Sequence, residues 1–208
     1  MVNKIIPSLI AKNQEEFDKR YKKVSKLSKT FHLDVMDGKF VKGESLNFDL
    51  ELPKNNYEAH LMIKDPEDWI KDNYQFAKLI IFHFSSVKDP RKIIRLIKSK
   101  KRKVGISVNP NIPISKIKPY LKDLDRVLVM TVHPGKYGAR LLPKDLKKIS
   151  EIKKINPKLK VEVDGGINSK TIKKASEAGA NSFVVGSYLQ KAKEPKKALK
   201  NLEKLIKK

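Results

Sequence analysis

Apolar residues along the chain follow two different spacings. Short, mostly apolar runs rich in Val, Ile and Phe are typical of parallel strands that are buried on both faces. Between these runs, apolar residues recur every three or four positions, as they do in amphipathic helices. The apolar runs predict eight strands, at 3–10, 31–36, 57–62, 79–84, 104–109, 126–132, 159–164 and 181–186.

Helical periodicity follows nearly every predicted strand. In the last helix, Ala198, Leu202, Leu205 and Ile206 share one face. The segment 43–56 has little helical period, and we expect a short or irregular element there. The predicted helices are 14–27, 66–77, 89–100, 113–124, 143–154, 169–180 and 195–208.

Eight strands that alternate with helices indicate a parallel sheet covered by helices, and eight is the number that closes a (β/α)8 barrel. A doubly wound open sheet is the alternative. Against it, no G-x-G-x-x-G motif follows the first strand, where PSLIAKN stands instead. No linker or composition shift divides the chain. We therefore predict an α/β fold, a single-domain (β/α)8 TIM barrel over residues 1–208, with eight parallel strands and outer helices.

Composition narrows the class of protein further. A hydrophobic content of 39% and a charged content of 34% suit a folded soluble protein rather than a disordered one. The absence of cysteine excludes disulfides and thiolate metal sites. No apolar stretch approaches the roughly 20 residues that cross a bilayer, and the N-terminal apolar run is too short for a signal peptide. We expect a cytoplasmic protein with no membrane partner.

The formal net charge of +24 favours a nucleic-acid-binding protein at first sight. The lysines are spread along the whole chain, however, and few aromatic residues lie among them. The densest cluster is KSKKRK at 98–103. A basic nucleic-acid-binding protein on a barrel scaffold stays as the non-enzymatic alternative, but we expect no specific nucleic-acid partner. A lysine-rich surface also attracts small anionic substrates through long-range electrostatics.

Polar residues interrupt four predicted strands near the same end, which is where a (β/α)8 barrel places its chemistry. They are Ser8 in the first strand, His32 and Asp34 in the second, His60 in the third and Asp164 in the seventh. Any one of them alone is more often a core or capping residue. Two histidines and two carboxylates that converge suit a divalent transition metal, whose charge would offset the burial of the carboxylates.

Three other polar residues have weaker interpretations. His83 is read as pocket lining or core, and His133 begins a loop and is undecided. Asp37 is expected to cap or turn the chain before Gly38.

Glycine-bearing loops follow the last three predicted strands. Glycine lets backbone N–H groups approach a phosphate closely, and the last loops of this barrel are its usual phosphate site. Each pair of loop residues alone is explained by a tight turn or a helix cap. The candidate phosphate site therefore depends on three such loops following adjacent strands. These residues are Gly135, Gly138, Gly165, Gly166, Gly186 and Ser187. Three methionines at strand ends fill the core by default or form an apolar lid; they are Met36, Met62 and Met130.

Together these residues resemble the motifs of the ribulose-phosphate 3-epimerase family, along nearly the whole chain. The elements H-x-D-V-M-D-G, H-L-M and V-D-G-G, in this order and spacing, are highly specific. The segments that carry the resemblance are HLDVMDGKFV, AHLMIKDPE, VLVMTVHPGKYG, VEVDGGIN and VVGS.

The resemblance implies one divalent metal ion per chain, which is Zn, Fe, Mn or Co. It implies four ligands, of which Asp34 and Asp164 are also the catalytic acid/base pair; the other two are His32 and His60. It implies a phosphorylated ketose substrate. The implied substrate-binding residues are Ser8, His60, Gly135, Lys136, Tyr137, Gly138, Asp164, Gly165, Gly166, Gly186 and Ser187, with Met36, Met62 and Met130 lining the pocket.

The implied reaction interconverts D-ribulose 5-phosphate and D-xylulose 5-phosphate, a step of the pentose phosphate pathway. Inversion at C3 through a metal-stabilised enediolate needs one base on each face. The second and seventh strands are expected on opposite sides of the ring, so that Asp34 and Asp164 flank the substrate. A six-carbon ketose phosphate such as allulose 6-phosphate is the alternative substrate. Related barrels that decarboxylate or condense phosphorylated substrates need a strand lysine, which no strand interior offers.

The chain departs from the family's usual pattern in three places. Residues 42–50 replace a proline–asparagine segment, Ser85 replaces a glutamate, and 136–139 stand in a loop that is usually richer in glycine. None of these departures removes an implied ligand or base. They leave the exact sugar, the lid and the oligomer contacts open; barrels of this kind often associate, so a homo-oligomer is an open expectation.

Overall fold

The eight predicted strands all form in the computed structural model, which describes residues 3–207. A ninth strand of two residues, unrevealed by the sequence, pairs antiparallel with the end of the second. The strands are β1 (Lys4–Leu9), β2 (Thr30–Asp37), β3 (Glu44–Ser45), β4 (Asn56–Met62), β5 (Leu79–His83), β6 (Lys103–Val108), β7 (Arg126–Met130), β8 (Lys160–Asp164) and β9 (Ser182–Val185).

Parallel pairing closes the sheet on itself. The neighbours run β1-β9-β8-β7-β6-β5-β4-β2, and β1 also pairs with β2. The predicted (β/α)8 barrel is therefore confirmed. One detail of the sequence interpretation was wrong: β2 and β8 are separated only by β1 and β9 on the shorter path, so they are not diametrically opposite.

Helices surround the barrel at each of the predicted positions. The predicted helix 113–124 contains one α-helical turn and then a 3-10 turn at Lys118–Tyr120, because Pro119 has no N–H to continue the helix. Residues 43–56 contain only β3 and irregular backbone, as expected. The helices are α1 (Gln14–Val24), α2 (Glu67–Asn73), α3 (Pro90–Ser99), α4 (Ile114–Ile117), α5 (Leu146–Ile155), α6 (Ile172–Glu177), α7 (Ser187–Gln190) and α8 (Pro195–Ile206).

The predicted last helix reached Lys208, which lies outside the described residues. The short helix α7 was not predicted. Within residues 3–207, no helix combines the length and the apolar character that spanning a membrane requires.

Hydrophobic side chains form two layers. The outer layer packs strands against helices; in β2, for example, Phe31, Leu33 and Val35 are buried there. The inner layer lies inside the barrel and contains Leu79, Ile81, Leu128, Met130, Val132 and Val184. Because successive side chains of a strand point to opposite faces, His32 and Asp34 of β2 face the barrel interior.

Asp37 ends β2 and organises the loop that follows, as the sequence predicted. Its Oδ1 accepts hydrogen bonds from the backbone N–H groups of Lys39 and Phe40, both at 2.9 Å. Its Oδ2 accepts one from the N–H of Lys64, also at 2.9 Å, which joins the loops after β2 and β4. Burial raises the pKa of Asp37, but these N–H donors outweigh it and hold the pKa below its usual range.

We predict that Asp37→Ala lowers the free energy of unfolding at pH 7 by about 1–3 kcal/mol, because three N–H groups lose their acceptor. A carboxyl whose folded pKa is lowered stabilises the fold above its unfolded pKa of about 3.9 and stops doing so as pH falls. The difference between wild type and variant should therefore shrink below about pH 4. Urea unfolding from pH 7 to pH 3 measures it.

Asp49→Ala is the control, because Asp49 is exposed and makes no hydrogen bond or ion pair with any described residue. We expect it to leave stability nearly unchanged at every pH. A deficit of Asp37→Ala that stays constant down to pH 3 would contradict the assigned role of the carboxylate.

Gly165 begins the loop after β8 in a conformation that only glycine fits. Its φ is +111°, and a Cβ there would lie 2.5 Å from Cγ2 of Val132 and 2.9 Å from the Val132 backbone N. Gly43 also has a positive φ, +92°, but a Cβ there would have nothing within 4 Å. Alanine variants at these two glycines therefore separate the effect of backbone strain from the effect of steric overlap.

We predict that Gly43→Ala destabilises the fold by about 1–2 kcal/mol through backbone strain alone. Gly165→Ala should destabilise by more than about 3 kcal/mol, because overlap with Val132 adds to the strain. Thermal and urea unfolding of both variants measure the difference. Equal losses would show that the Val132 contact relaxes without penalty.

Candidate metal centre and active site

The C-terminal ends of the barrel strands surround a cleft. Two of the predicted residues, His32 and His60, are fully buried beside Asp34 and do not line it. The remaining predicted site residues all do. They are Ser8, Asp34, Met36, Met62, Met130, Gly135, Lys136, Tyr137, Gly138, Asp164, Gly165, Gly166, Gly186 and Ser187.

The four candidate ligands converge on one point. Asp34 Oδ1 lies 3.1 Å from His60 Nδ1 and 3.4 Å from His32 Nε2. His60 Nδ1 lies 3.9 Å from Asp164 Oδ2. The strand register explains this, because Asp34 of β2 pairs directly with His60 of β4. One ligand atom from each of the four residues lies within 4.8 Å of all the others.

The chemistry of this cluster fits a divalent transition metal. His32 Nε2 is buried and has no hydrogen-bond partner within the described residues, although it faces Asp34. Two imidazoles and two carboxylates offer the borderline nitrogen and hard oxygen donors that such ions prefer. The residues present therefore fit a metal ion of this class.

The electrostatics of the cluster favour positive charge. Burial lowers the pKa of His32, but the neighbouring carboxylates of Asp34, Glu162 and Glu58 outweigh burial and raise it well above the usual value. Burial raises the pKa of Asp34, and the neighbouring His32 and His60 reverse this and hold it well below its usual range.

Asp164 behaves in the opposite way to Asp34. Its burial, together with the negative charge of Asp34, raises the pKa of Asp164 to about 7. The two carboxyls of the cleft therefore occupy environments that separate their proton affinities.

His83 is more than the pocket lining or core residue that the sequence indicated. Its Nε2 lies 2.8 Å from Nε2 of His60, and its Nδ1 lies 2.7 Å from Oδ1 of Asn109. The Asn109 amide is oriented by a 3.1 Å hydrogen bond that its Nδ2 donates to Oγ of Ser85.

These contacts assign the protons along the relay from His60 through His83 to Asn109. An amide oxygen only accepts hydrogen bonds, so His83 Nδ1 carries a proton, and His83 Nε2 accepts a hydrogen bond from the N–H of His60 Nε2. His60 Nδ1 then presents its lone pair towards Asp34 and Asp164. Burial lowers the pKa of both histidines, which keeps the pair neutral. His133, by contrast, is exposed and does not line the cleft.

Sequence reasoning missed three charged residues inside the barrel. Glu58 Oε1 lies 2.8 Å from His32 Nδ1, and Arg126 is bonded to both Glu58 and Glu162. A signal for the two glutamates was present: each stands two positions before a candidate ligand on the same strand, as E-x-H and E-x-D. Period-two alternation puts them on the same inner face.

The glycine loops after β7, β8 and β9 meet at one end of the cleft. Gly135, Gly138 and Gly166 all have positive φ, at +79°, +76° and +67°. At Gly186 a Cβ would lie 2.6 Å from Oγ of Ser8 and 3.0 Å from Cε2 of Tyr137. Backbone without side chains therefore forms this end of the cleft.

Two residues of the unusual loop 136–139 have distinct positions. Lys136 is exposed at the rim. The Tyr137 ring is 42% exposed, and the guanidinium carbon of Arg20 lies 5.7 Å from its centroid. Met62 and Met130 are buried and Met36 is half-buried, so the three methionines form an apolar part of the wall.

Comparison with known proteins agrees with this geometry. Residues 4–190 match the family described as "Ribulose-phosphate 3 epimerase family". The ribulose-phosphate 3-epimerase of Schizosaccharomyces pombe is 34% identical over 213 residues, which cover 98% of this chain and 93% of that protein. A protein of Oryza sativa subsp. japonica named "Ribulose-phosphate 3-epimerase, cytoplasmic isoform" is 30% identical over 214 residues, covering 98% and 94%.

A solved structure of 3-hexulose-6-phosphate synthase from Salmonella typhimurium superposes with a TM-score of 0.71, covering 98% of each chain. At 18% sequence identity this likeness shows a shared fold alone. The family match, which spans most of the chain, and the two relatives show more than the fold: the chain belongs to the ribulose-phosphate 3-epimerase family.

Proposed function

We propose that the protein is a metal-dependent epimerase that interconverts D-ribulose 5-phosphate and D-xylulose 5-phosphate in the pentose phosphate pathway. The observation that carries the proposal is the convergence of Asp34 and Asp164 with two buried histidines at the cleft of a chain from this family. The two carboxylates come from β2 and β8, so they reach the cleft from different sides.

His32, Asp34, His60 and Asp164 would hold one divalent ion per chain. When bound, such an ion supplies Lewis-acid stabilisation of the negative charge that develops on the substrate oxygens. Zinc, iron, manganese and cobalt suit the mixed donor set better than magnesium does.

The two carboxylates move the proton. Inversion at C3 requires that one group removes the proton from one face and another group returns a proton to the other face. Asp34 and Asp164 take these roles, and each acts as base in one direction of the reaction and as acid in the other.

The rest of the cleft binds and orients the substrate. The loops at 135–138 and 165–166, with Gly186 and Ser187, hold the phosphate, while Ser8 contacts the sugar. A phosphate held away from the reacting carbon fixes the orientation of C3 between the carboxylates. The methionine wall excludes water from the reacting end, and the +24 charge steers anionic substrates towards the protein without a specific nucleic-acid partner.

A coupled assay tests the proposal. The metal-loaded protein is supplied with ribulose 5-phosphate and, separately, with allulose 6-phosphate at equal concentrations. We expect a higher kcat/KM for the pentulose phosphate. Preference for the six-carbon substrate would reassign the sugar, and no turnover of either would refute the proposed epimerase.

We predict that His60→Ala lowers both the metal content and the activity, because it removes one of four ligands. Elemental analysis after dialysis should give about one metal ion per wild-type chain and well below one for the variant. His133→Ala is the control, since His133 is exposed and outside the cleft. Full metal occupancy with normal turnover in His60→Ala would exclude His60 from the site.

We also predict that Asp34→Asn and Asp164→Asn each slow epimerisation by about 10²- to 10⁴-fold, because each removes one proton-transfer group. In deuterated water, a variant that retains one base should exchange the C3 proton of one epimer without forming the other. The two variants should therefore label different epimers, which NMR detects.

Both aspartates are also proposed ligands, so the metal content of each variant is measured first and only metal-loaded samples are compared. If both loaded variants epimerised at near wild-type rates, the two-base assignment would be wrong.

A further inference from the structure

A buried group of three charged residues crosses the barrel interior beside the metal centre. Glu58 lies on β4, Arg126 on β7 and Glu162 on β8, and their side chains are 4%, 14% and 0% exposed. Arg126 Nη1 contacts Glu58 Oε2 at 3.0 Å and also bonds Oε2 of Glu162. Since β4 and β7 are not neighbours in the sheet, the first of these contacts spans the interior.

In both glutamates, the carboxylate oxygen that Arg126 does not contact faces His32. Glu58 Oε1 lies 2.8 Å from His32 Nδ1. Glu162 Oε1 lies 3.4 Å from the same nitrogen. Arg126 donates to Glu58 Oε2, and an ionised carboxylate only accepts hydrogen bonds, so Nδ1 keeps its proton and donates a hydrogen bond to Glu58 Oε1.

This contact determines what the other side of the ring can do. With the proton on Nδ1, a neutral His32 presents the Nε2 lone pair, and Nε2 faces Asp34 at 3.4 Å without a hydrogen-bond partner in residues 3–207. The imidazole is rigid, so holding Nδ1 against Glu58 also directs Nε2 towards Asp34.

A purely stabilising role explains the three charges less well. Desolvation offsets most of the attraction in a buried ion pair, so such pairs are weak sources of stability. The neighbouring part of the barrel interior is filled by aliphatic residues such as Leu79, Ile81 and Leu128. The three charged residues occur instead beside the ligand cluster, where Glu58 contacts the candidate ligand His32.

We propose that Glu58, held in place by Arg126, is a positioning residue for the metal centre: it keeps His32 protonated at Nδ1 with Nε2 aimed at the ligand cluster. This inference rests on the metal-dependent function proposed above. Hydrogen-bond partners of this kind typically change metal affinity by about 10- to 100-fold when they are removed.

Glu58→Gln is the sharpest variant, because it preserves shape and inverts the hydrogen bonding. Arg126 only donates, so it binds the oxygen of the new amide, and the amide NH2 then faces His32 Nδ1. That arrangement favours the proton on Nε2, which is the nitrogen that must be free to bind metal. Arg126→Met tests the same link from the other end.

Arg102→Met is the matched control. Arg102 is half-buried, and its Nε donates to the Tyr74 carbonyl at 3.0 Å, away from the cleft. Circular dichroism and cooperative melting verify the fold of each variant. If Arg126→Met fails to fold because two carboxylates lose their cation, the nearly isosteric Glu58→Gln carries the test.

The experiment measures Co²⁺ affinity of the full chain by competition with a chromogenic chelator. We expect Glu58→Gln and Arg126→Met to bind Co²⁺ about 10- to 100-fold more weakly than wild type, and Arg102→Met to stay within about twofold. The second readout is the proton position on His32, from long-range ¹H–¹⁵N correlation spectra of the metal-free chain at a pH where the imidazole is neutral. Its four histidines keep these spectra simple. Wild type should show the proton on Nδ1, and Glu58→Gln should lose that form.

Each remaining outcome has a definite meaning. Folded Glu58→Gln with wild-type Co²⁺ affinity and the proton still on Nδ1 would overturn the positioning role and leave the proposed epimerase intact. A wild-type chain that binds no Co²⁺ would overturn the metal centre and this inference together. If wild type binds Co²⁺, the variants bind it more weakly, and wild type turns over no ketose phosphate, the positioning role stands and the proposed reaction fails.

Discussion

Charge compensation inside a closed barrel is the constraint on which the rest of the structure depends. The inward positions of β2, β4 and β8 place two histidines and four carboxylates in space from which water is largely excluded. An uncompensated charge there would oppose folding by several kcal/mol, roughly. Arg126 balances the glutamates, and both histidines lie within 3.4 Å of Asp34. The cluster's remaining excess of acidic groups makes it attractive to a cation.

The interior is therefore divided between two kinds of surface. One part is aliphatic, from β5, β7 and β9, and needs no partner beyond close packing. The other is polar, and each of its groups depends on a partner from another strand. The cleft opens above both, and methionines and carboxylates alternate around its wall: Met36 lies on the same strand as Asp34, and Met130 pairs with Asp164. Glycine loops leave backbone at one end of it.

Much of the fold and of the ligand cluster follows from the sequence, because strands that are buried on both faces have a recognisable pattern. Parallel strands covered by helices read as continuous apolar runs, and polar residues such as His60 stand out against them. The contact of Arg126 with Glu58 was not predictable in the same way. A charged residue at the start of a strand normally faces solvent, and the sequence of one strand does not show which residue lies across the barrel from it. The relay from His60 through His83 to Asn109 depends on ring orientations, which spacing does not encode. Pro119 ends α4 early because it has no N–H to continue the helix, and the helical periodicity of 113–124 did not reveal this.

The polar network also links the two halves of the chain. His32 and Glu58 come from the first four barrel strands, whereas Arg126 and Glu162 come from the last four. A half-barrel fragment would expose a face of unmatched charges at its inner edge, and no rearrangement within the fragment would supply the missing partner. Recombination of two such fragments would then be guided by opposite charge as well as by apolar burial. The complete ligand cluster likewise needs both halves, because three of its members come from β2 and β4 and the fourth, Asp164, comes from β8.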